Sequence, residues 1–492
     1  IYMQPYAEHG VEARVTSIYT PTMLYTTHIL DAAVQTINAL HKIDPIDFGI
    51  SLGDTCNNTQ FNELRWYIDV LDGKVITPCS GDRVGSDRID YQKPFKAAGL
   101  DPAIPWYQAI GNHDHFWLGS LPLDAGNMRE TCIGDEVVAM PNSIYRAADL
   151  YDRTPPLFYM GVIDGSTPTG AIIKAGKVGD PGFTSPPRVT ADRDRRSLTV
   201  TQWKQEFFDT STSPVGHGFH LVPEEEEGFA CYSFVPKSTI PIKVIVLDDT
   251  QREDDGVASI HGRGFLDPAR WAWLKNELAA GEDADQLMII AAHIPIGVCP
   301  HKSVLGKDTY VDWFDTSDNP SSMQNAVDLA GLLAELHSHP NLILWMAGHR
   351  HVNTVKAFAT DDAAAPERGF WQVETTSLRD FPQQLRLFEI NLNSDYTISI
   401  VATNVDPAVK EGTPAWTARK YGVAAEQIVA TNLKPSFPGA DPTVPGYPDP
   451  AVFDPSIILT NEGIDPNIGS YNAELVKQLS PAMKAHMQTL FP

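Results

Sequence analysis

The chain has 492 residues, enough for one large α/β domain with insertions or for two ordinary domains, and its 42% hydrophobic and 20% charged content excludes a wholly disordered or fibrous protein. A formal charge of −25 sets it against nucleic-acid backbones and anionic membranes, so any anionic substrate must meet a local positive centre, which bound metal can supply. No apolar run reaches the roughly 18 residues of a membrane-spanning helix, and the five cysteines (Cys56, Cys79, Cys132, Cys231 and Cys299) lack the CxxC spacing of a zinc ribbon or redox motif.

In chain order, Leu24, Leu30, Val34, Ile37 and Leu40 recur at helical spacing and predict a helix over residues 22–42. Residues 48–52 follow as a buried strand that stops at Gly53-Asp54. A second helix is predicted over 61–71 and a second short strand over 104–110, which stops at Gly111-Asn112. Residues 117–240 are rich in Gly, Pro, Asp and Arg and have only patchy periodicity, which predicts an insertion or cap. Regular structure resumes with a strand over 242–247, a helix over 267–279 behind a capping aspartate, and a strand over 287–292 that ends at His293. A helix over 321–337, a strand over 342–346 ending at Gly348-His349-Arg350-His351, and strands over 370–374, 385–390 and 397–402 complete the pattern. Residues 1–405 are thus expected to form one domain. Residues 406–492 form a Pro-rich C-terminal extension with one helix over 472–478, suited to wrapping the domain or joining a second copy in a homo-oligomer.

In α/β sheets, loops at the carboxyl ends of strands gather around one crevice, so polar clusters that follow successive strands can converge. Four such clusters occur: Gly53-Asp54, Gly111-Asn112-His113-Asp114, His293, and Gly348-His349-Arg350-His351. Their order and identity resemble the calcineurin-like metallophosphoesterase superfamily, whose pattern is DxH, GD, GNH(D/E), an isolated His, then GHxH. The match runs over roughly residues 22–402.

That resemblance implies an α/β fold, a sandwich of two mixed β-sheets flanked by helices, carrying two divalent metal ions (Mn, Zn, Fe or mixed). Two ions about 3.5 to 4 Å apart need a bridging carboxylate and neutral imidazoles, and Asp54 resembles the bridge. By the same resemblance Asn112, His293 and His349 complete one metal site and His351 reaches the other ion. His113 resembles the family's catalytic histidine, which protonates the leaving oxygen or stabilises the phosphoryl group, with Asp114 available to fix its orientation. The implied reaction is hydrolysis of a small-molecule phosphate mono- or diester by a metal-bound hydroxide.

One element of the pattern is missing. No Asp in the chain is followed two residues later by His, and residues 1–17 hold no apolar run that could be the first strand. The second metal therefore keeps only Asp54 and His351 as protein ligands. Either an upstream segment carries the motif, or the chain is a catalytically impaired phosphoesterase fold with a binding or assembly role. The helix from Thr22 is what should follow the first strand and its loop, which favours the first account; Ile1 in place of an initiator Met, with the acidic composition, points toward a periplasmic or extracellular location. The purple acid phosphatase branch is disfavoured because its GDxxY tyrosine is replaced by Asn57. The remaining candidates carry ordinary readings: His28, His41, His217 and His301 as structural or surface histidines, Glu224 to Glu227 as a solvated loop, Cys56 as a buried structural thiol, and Arg350 as the partner of an acidic neighbour. Asp248 and Asp249 are open between supporting the site and capping a turn.

Overall fold

The computed structural model describes residues 21–81, 88–117, 119, 132–136, 139–141, 157–164, 171–223, 228–252, 264–296, 313, 327–351, 353–430 and 472–492. Along the chain come α1 (Thr26–His41), β1 (Gly49–Ser51), α2 (Phe61–Leu71), β2 (Val75–Ile76), β3 (Phe95–Lys96) and β4 (Trp106–Gln108). Then follow β5 (Ala139–Pro141), β6 (Leu157–Asp164), β7 (Ala171–Lys177), α3 (Val200–Glu206), β8 (Tyr232–Phe234), β9 (Ile242–Leu247), α4 (Pro268–Asp283) and β10 (Leu287–Ala292). The last part holds α5 (Leu329–Ser338), β11 (Leu342–Ala347), β12 (Thr354–Phe358), β13 (Phe370–Glu374), β14 (Leu385–Leu392), β15 (Ile398–Val405), α6 (Pro414–Ala430), β16 (Ala473–Lys477) and α7 (Pro481–Leu490).

The fold is mixed α/β. Its largest sheet has the order β12-β13-β11-β10-β9-β8, in which β13, β11, β10 and β9 are parallel and the two edge strands antiparallel. Central parallel strands are covered on both faces and so read as unbroken apolar runs. That is why LMIIAA in β10 and LILWMA in β11 are buried at every position. Alternate residues of β10 divide between two cores: Leu287, Ile289 and Ala291 join Leu64 and Ile68 of α2, Trp106 of β4, Ile400 of β15 and Leu475 of β16. Met288, Ile290 and Ala292 join Leu274 and Leu278 of α4 and Leu332 and Leu336 of α5. Helices thus cover one face of the large sheet, while strands β1 and β4 and the β14-β15-β16 sheet share the core of the other, an arrangement that accords with the expected sandwich.

Several expectations are corrected. Residues 472–478 form no helix; β16 pairs antiparallel with β15, burying Leu475 and Lys477 while Glu474 and Val476 face out. A five-residue run fits both periods, and the open edge of β15 selects the strand. The helix expected over 321–337 begins only at Leu329, because the Asp328 carboxylate caps it by accepting from the Gly331 N–H; residues 321–326 lie outside the described residues. Strands β8 and β12 and helices α6 and α7 were not expected. Within the stretch expected as an insertion, Trp203 and Phe207 enter the main core and β8 extends the large sheet. His301, Cys299 and Glu224 to Glu227 lie outside the described residues. Among the described residues, no helix is long and apolar enough to cross a membrane.

Candidate metal centre

Strands β1 and β4 run parallel to each other, as do β10 and β11, and the residues just past their carboxyl ends supply the site. Leu52, Gly53 and Asp54 follow β1; Gly111, Asn112 and His113 follow β4; His293 follows β10; and Gly348 and His349 follow β11. The first two loops touch closely. Gly53 has φ +102°, and a Cβ there would stand 2.5 Å from the Gly111 nitrogen, so only glycine lets them approach.

Four side chains converge. His293 Nε2 lies 3.0 Å from Asn112 Oδ1, 3.2 Å from Asp54 Oδ2 and 3.3 Å from His349 Nδ1, and His349 Nδ1 lies 3.2 Å from Asn112 Oδ1. Candidate ligand atoms of Asp54, His293 and His349 all fall within 4.8 Å of one another. Supporting contacts turn three of the four inward. The Asn112 amide donates to the Gly119 carbonyl at 2.9 Å, which leaves its oxygen facing the imidazoles. His293 Nδ1 is 2.8 Å from the Leu52 carbonyl, so Nδ1 carries the proton and Nε2 offers its lone pair. Asp54 Oδ1 accepts the His113 N–H at 2.9 Å, leaving Oδ2 for the centre.

A knot of lone pairs buried this closely suits a cation. Its electrostatics agree: burial opposes the charge on Asp54, but facing His293 and His113 hold its carboxyl well below the usual range. Burial likewise opposes charge on His293, and the Asp54 carboxylate overrides it, raising His293 to about 9. With Nδ1 on the Leu52 carbonyl, that proton sits on His293 Nε2 facing Asp54, and a bound metal would displace it to reach the lone pair. Burial and the facing His293 keep His349 well below its ordinary value. These residues fit one divalent ion.

Backbone conformation marks the same residues. Asp54 (φ 58°), His349 (φ 69°) and His351 (φ 57°) are left-handed without being glycine, a cost that over-determined functional loops tolerate.

The remaining expected residues sit differently. His351 Nδ1 is 2.6 Å from Asp380 Oδ2, and it is not part of the cluster of candidate ligand atoms that Asp54, His293 and His349 form among the described residues. His113 is oriented by Asn57, whose carbonyl lies 3.0 Å from its Nδ1, and not by Asp114 as expected. Asp114 instead accepts from the backbone N–H groups of Asp54, Thr55, Cys56 and Gly111 and from the Thr55 hydroxyl, at 2.7–3.1 Å. The carboxylate is a clamp on the loop that presents Asp54. Burial and the neighbouring Asp54 charge raise it to about 7.

Asp249 accepts the Ile294 N–H directly after His293, and Asp248 pairs with the fully buried Arg270, so both support the site from behind. His115 Nε2 contacts Thr250 Oγ1 at 2.9 Å and joins that support. Arg350 turns to Glu374, with Nε donating at 2.7 Å. His41 accepts the Ile46 N–H, and His217 is fully buried. Sequence reasoning missed Glu63, which accepts the N–H groups of Asn57 and Asn58, and the pair Arg379-Asp380. Arg379 and Asp380 lie in the polar loop after β13, and the rule that flagged the other four strand ends would have flagged this one.

No protein-family model matches the chain, and no curated protein does. Among solved structures, similarity is found to a dimetal phosphatase from Danio rerio, at 14% identity and a TM-score of 0.24, covering 36% of this chain and 58% of that one. The overlap spans less than two thirds of that chain, and a likeness of this size carries no argument about fold or activity.

Proposed function

We propose that the protein is a metal-dependent phosphoesterase that hydrolyses a phosphate mono- or diester of a small molecule. The observation that carries the reading is the convergence of Asp54, Asn112, His293 and His349 from four strand ends onto one point, the first three turned inward by separate hydrogen bonds. A divalent ion held there supplies Lewis acidity and activates water at neutral pH.

The chain's own residues do the rest. Asp54, Asn112, His293 and His349 hold the ion, and His351 is the residue available toward a second. Gly119, at φ +69°, lies over Asn112 and His113, where a Cβ would stand 2.5 Å from Asn112 Nδ2, His113 Cδ2 and His113 Nε2. With His113 Nδ1 engaged by the Asn57 carbonyl, Nε2 is the ring atom that exchanges a proton with the reacting oxygens. Burial keeps that ring neutral at pH 7, so Nε2 starts as an acceptor.

The test pairs metal content per chain, by elemental analysis, with hydrolysis of a generic aryl phosphate. Wild type should carry metal and turn over, and His349→Ala should lose most of both. Absence of metal and turnover in full-length protein would favour the second reading, a phosphoesterase fold retained for binding or assembly. The pairing of His351 with Asp380 is the observation on that side.

A further inference from the structure

On the His351 side of the site stands a cation that neither the motifs nor the metal ligands account for. Arg379 Nη1 donates to Asn57 Oδ1 at 2.8 Å, and the Asn57 carbonyl in turn holds His113 Nδ1 at 3.0 Å, so one residue ties the guanidinium to the proton-exchanging imidazole. Next in the chain, Asp380 is taken up by His351 at 2.6 Å and approaches Arg379 Nε only to 3.5 Å, without a hydrogen bond. Arg379 Nε and Nη2 are shielded from solvent and hydrogen-bonded to nothing.

Two unmade N–H bonds on solvent-shielded nitrogens of a guanidinium are costly to leave so. A guanidinium fork with free N–H groups matches the paired oxygens of a phosphoryl group. In a chain of net charge −25, it is also the local positive centre an anionic substrate needs where the second metal's ligands are fewest.

We propose that Arg379 is a phosphoryl-binding residue, its Nε–H and Nη2–H groups donating to the non-bridging oxygens of the substrate beside His113. The inference rests on the phosphoesterase reading and adds to it a fixed positive group supplied by the protein. Asn57 and Glu63 act through it as positioning residues, Glu63 by fixing the backbone of Asn57.

Titration calorimetry of inorganic phosphate into the full chain as purified tests this, with wild type, Arg379→Ala and Arg379→Lys compared, and with metal per chain, melting midpoint and aryl phosphate turnover recorded for each. Arg379→Ala should bind phosphate about tenfold to a hundredfold more weakly, the loss expected for hydrogen bonds to a charged group, at unchanged metal content and midpoint. Arg379→Lys should recover part of the affinity, because it restores the charge without the fork. Unchanged phosphate affinity in Arg379→Ala, with wild type binding and turning over, overturns the proposal and leaves the phosphoesterase reading intact. Loss of metal or of melting midpoint in both variants assigns Arg379 to loop architecture and also overturns it. A wild type that neither binds phosphate nor hydrolyses the ester overturns the phosphoesterase reading and this proposal together.

Discussion

Asp114 and His113 are neighbours in sequence, yet the structure assigns them different work. Asp114 gathers five donors around one carboxylate and thereby shapes the turn from which Asp54 projects. His113 touches that turn through its backbone N–H and keeps its ring against Asn57. Replacing Asp114 by Asn would set an amide N–H against backbone N–H groups. It should cost about 2 kcal/mol of stability, the scale of hydrogen bonds to a charged group, with metal content falling alongside. His113→Ala should keep its metal and lose turnover. Elemental analysis and thermal melts on the two variants check this, and equal metal loss in both would contradict the division of labour.

At the scale of elements, α4 shows how a helix end secures the wall behind the site. Asp267 caps it, one carboxylate oxygen accepting the Arg270 N–H at 2.8 Å and the other accepting Arg270 Nε at 2.7 Å. The guanidinium thus held also donates through Nη1 to the carbonyls of Asp248 and Thr250 at the end of β9. Burial opposes the charge on Asp248, but Arg270 and then Arg252 overcome it and bring the carboxyl down to about 2. A lost cap alone costs about 1 kcal/mol, and Asp267→Ala also removes a partner from a buried cation, so a loss nearer 2 to 3 kcal/mol is expected. Asp267→Asn, which keeps a cap acceptor, should fall between. Melting midpoints in that order bear this out; indistinguishable variants would mean that Arg270 needs no carboxylate at the cap.

At the scale of the whole molecule, burial of histidine sets an acid limit on stability. His217 stacks on Trp106 at 3.5 Å, and burial holds it neutral down to about pH 4; His28 is likewise lowered by burial to about 4. In the unfolded chain both take up a proton near pH 6.5. Between about pH 6.5 and 4 the unfolded state therefore binds more protons than the native state, and stability falls as pH drops, by about 1.4 kcal/mol per unit for each group. Above pH 6.5 these groups add no further dependence. Asp114, raised to about 7, works the other way over the same window, so the test is a difference: as pH drops from 6.5 to 4 the midpoint of His217→Asn should lose less than that of wild type, even if it is lower overall. Parallel pH profiles for wild type and His217→Asn would exclude this account.

How much was legible beforehand follows from the range of each signal. Hydrophobic period and strand-end punctuation are local, so β9, β10, β13 and α2 match the expected bounds and the polar clusters holding Asp54, Asn112, His293 and His349 could be located, while their grouping as one ligand set came from the family resemblance. The same residues meet because parallel strands bring their carboxyl ends together, a rule of topology readable from a β-then-α order. What tertiary structure alone decided depends on partners distant in sequence. Residues 473–477 are a strand because β15 offers an edge some 70 residues away. Asp114 is a clamp because the 54–56 turn lies across it, and His351 faces Asp380 because the loop after β13 returns to the site. The loop that carries Arg379 follows a strand end like the others, but the link of its guanidinium to His113 through Asn57, with Nε and Nη2 left unbonded, is set by tertiary packing. By itself the sequence determined the donor types and where the strands end, since both are written in a few consecutive residues. Which donors share a centre, which carboxylate builds and which acts, and where the second positive charge stands were decided by three-dimensional packing, because those energies arise between groups that no local pattern relates.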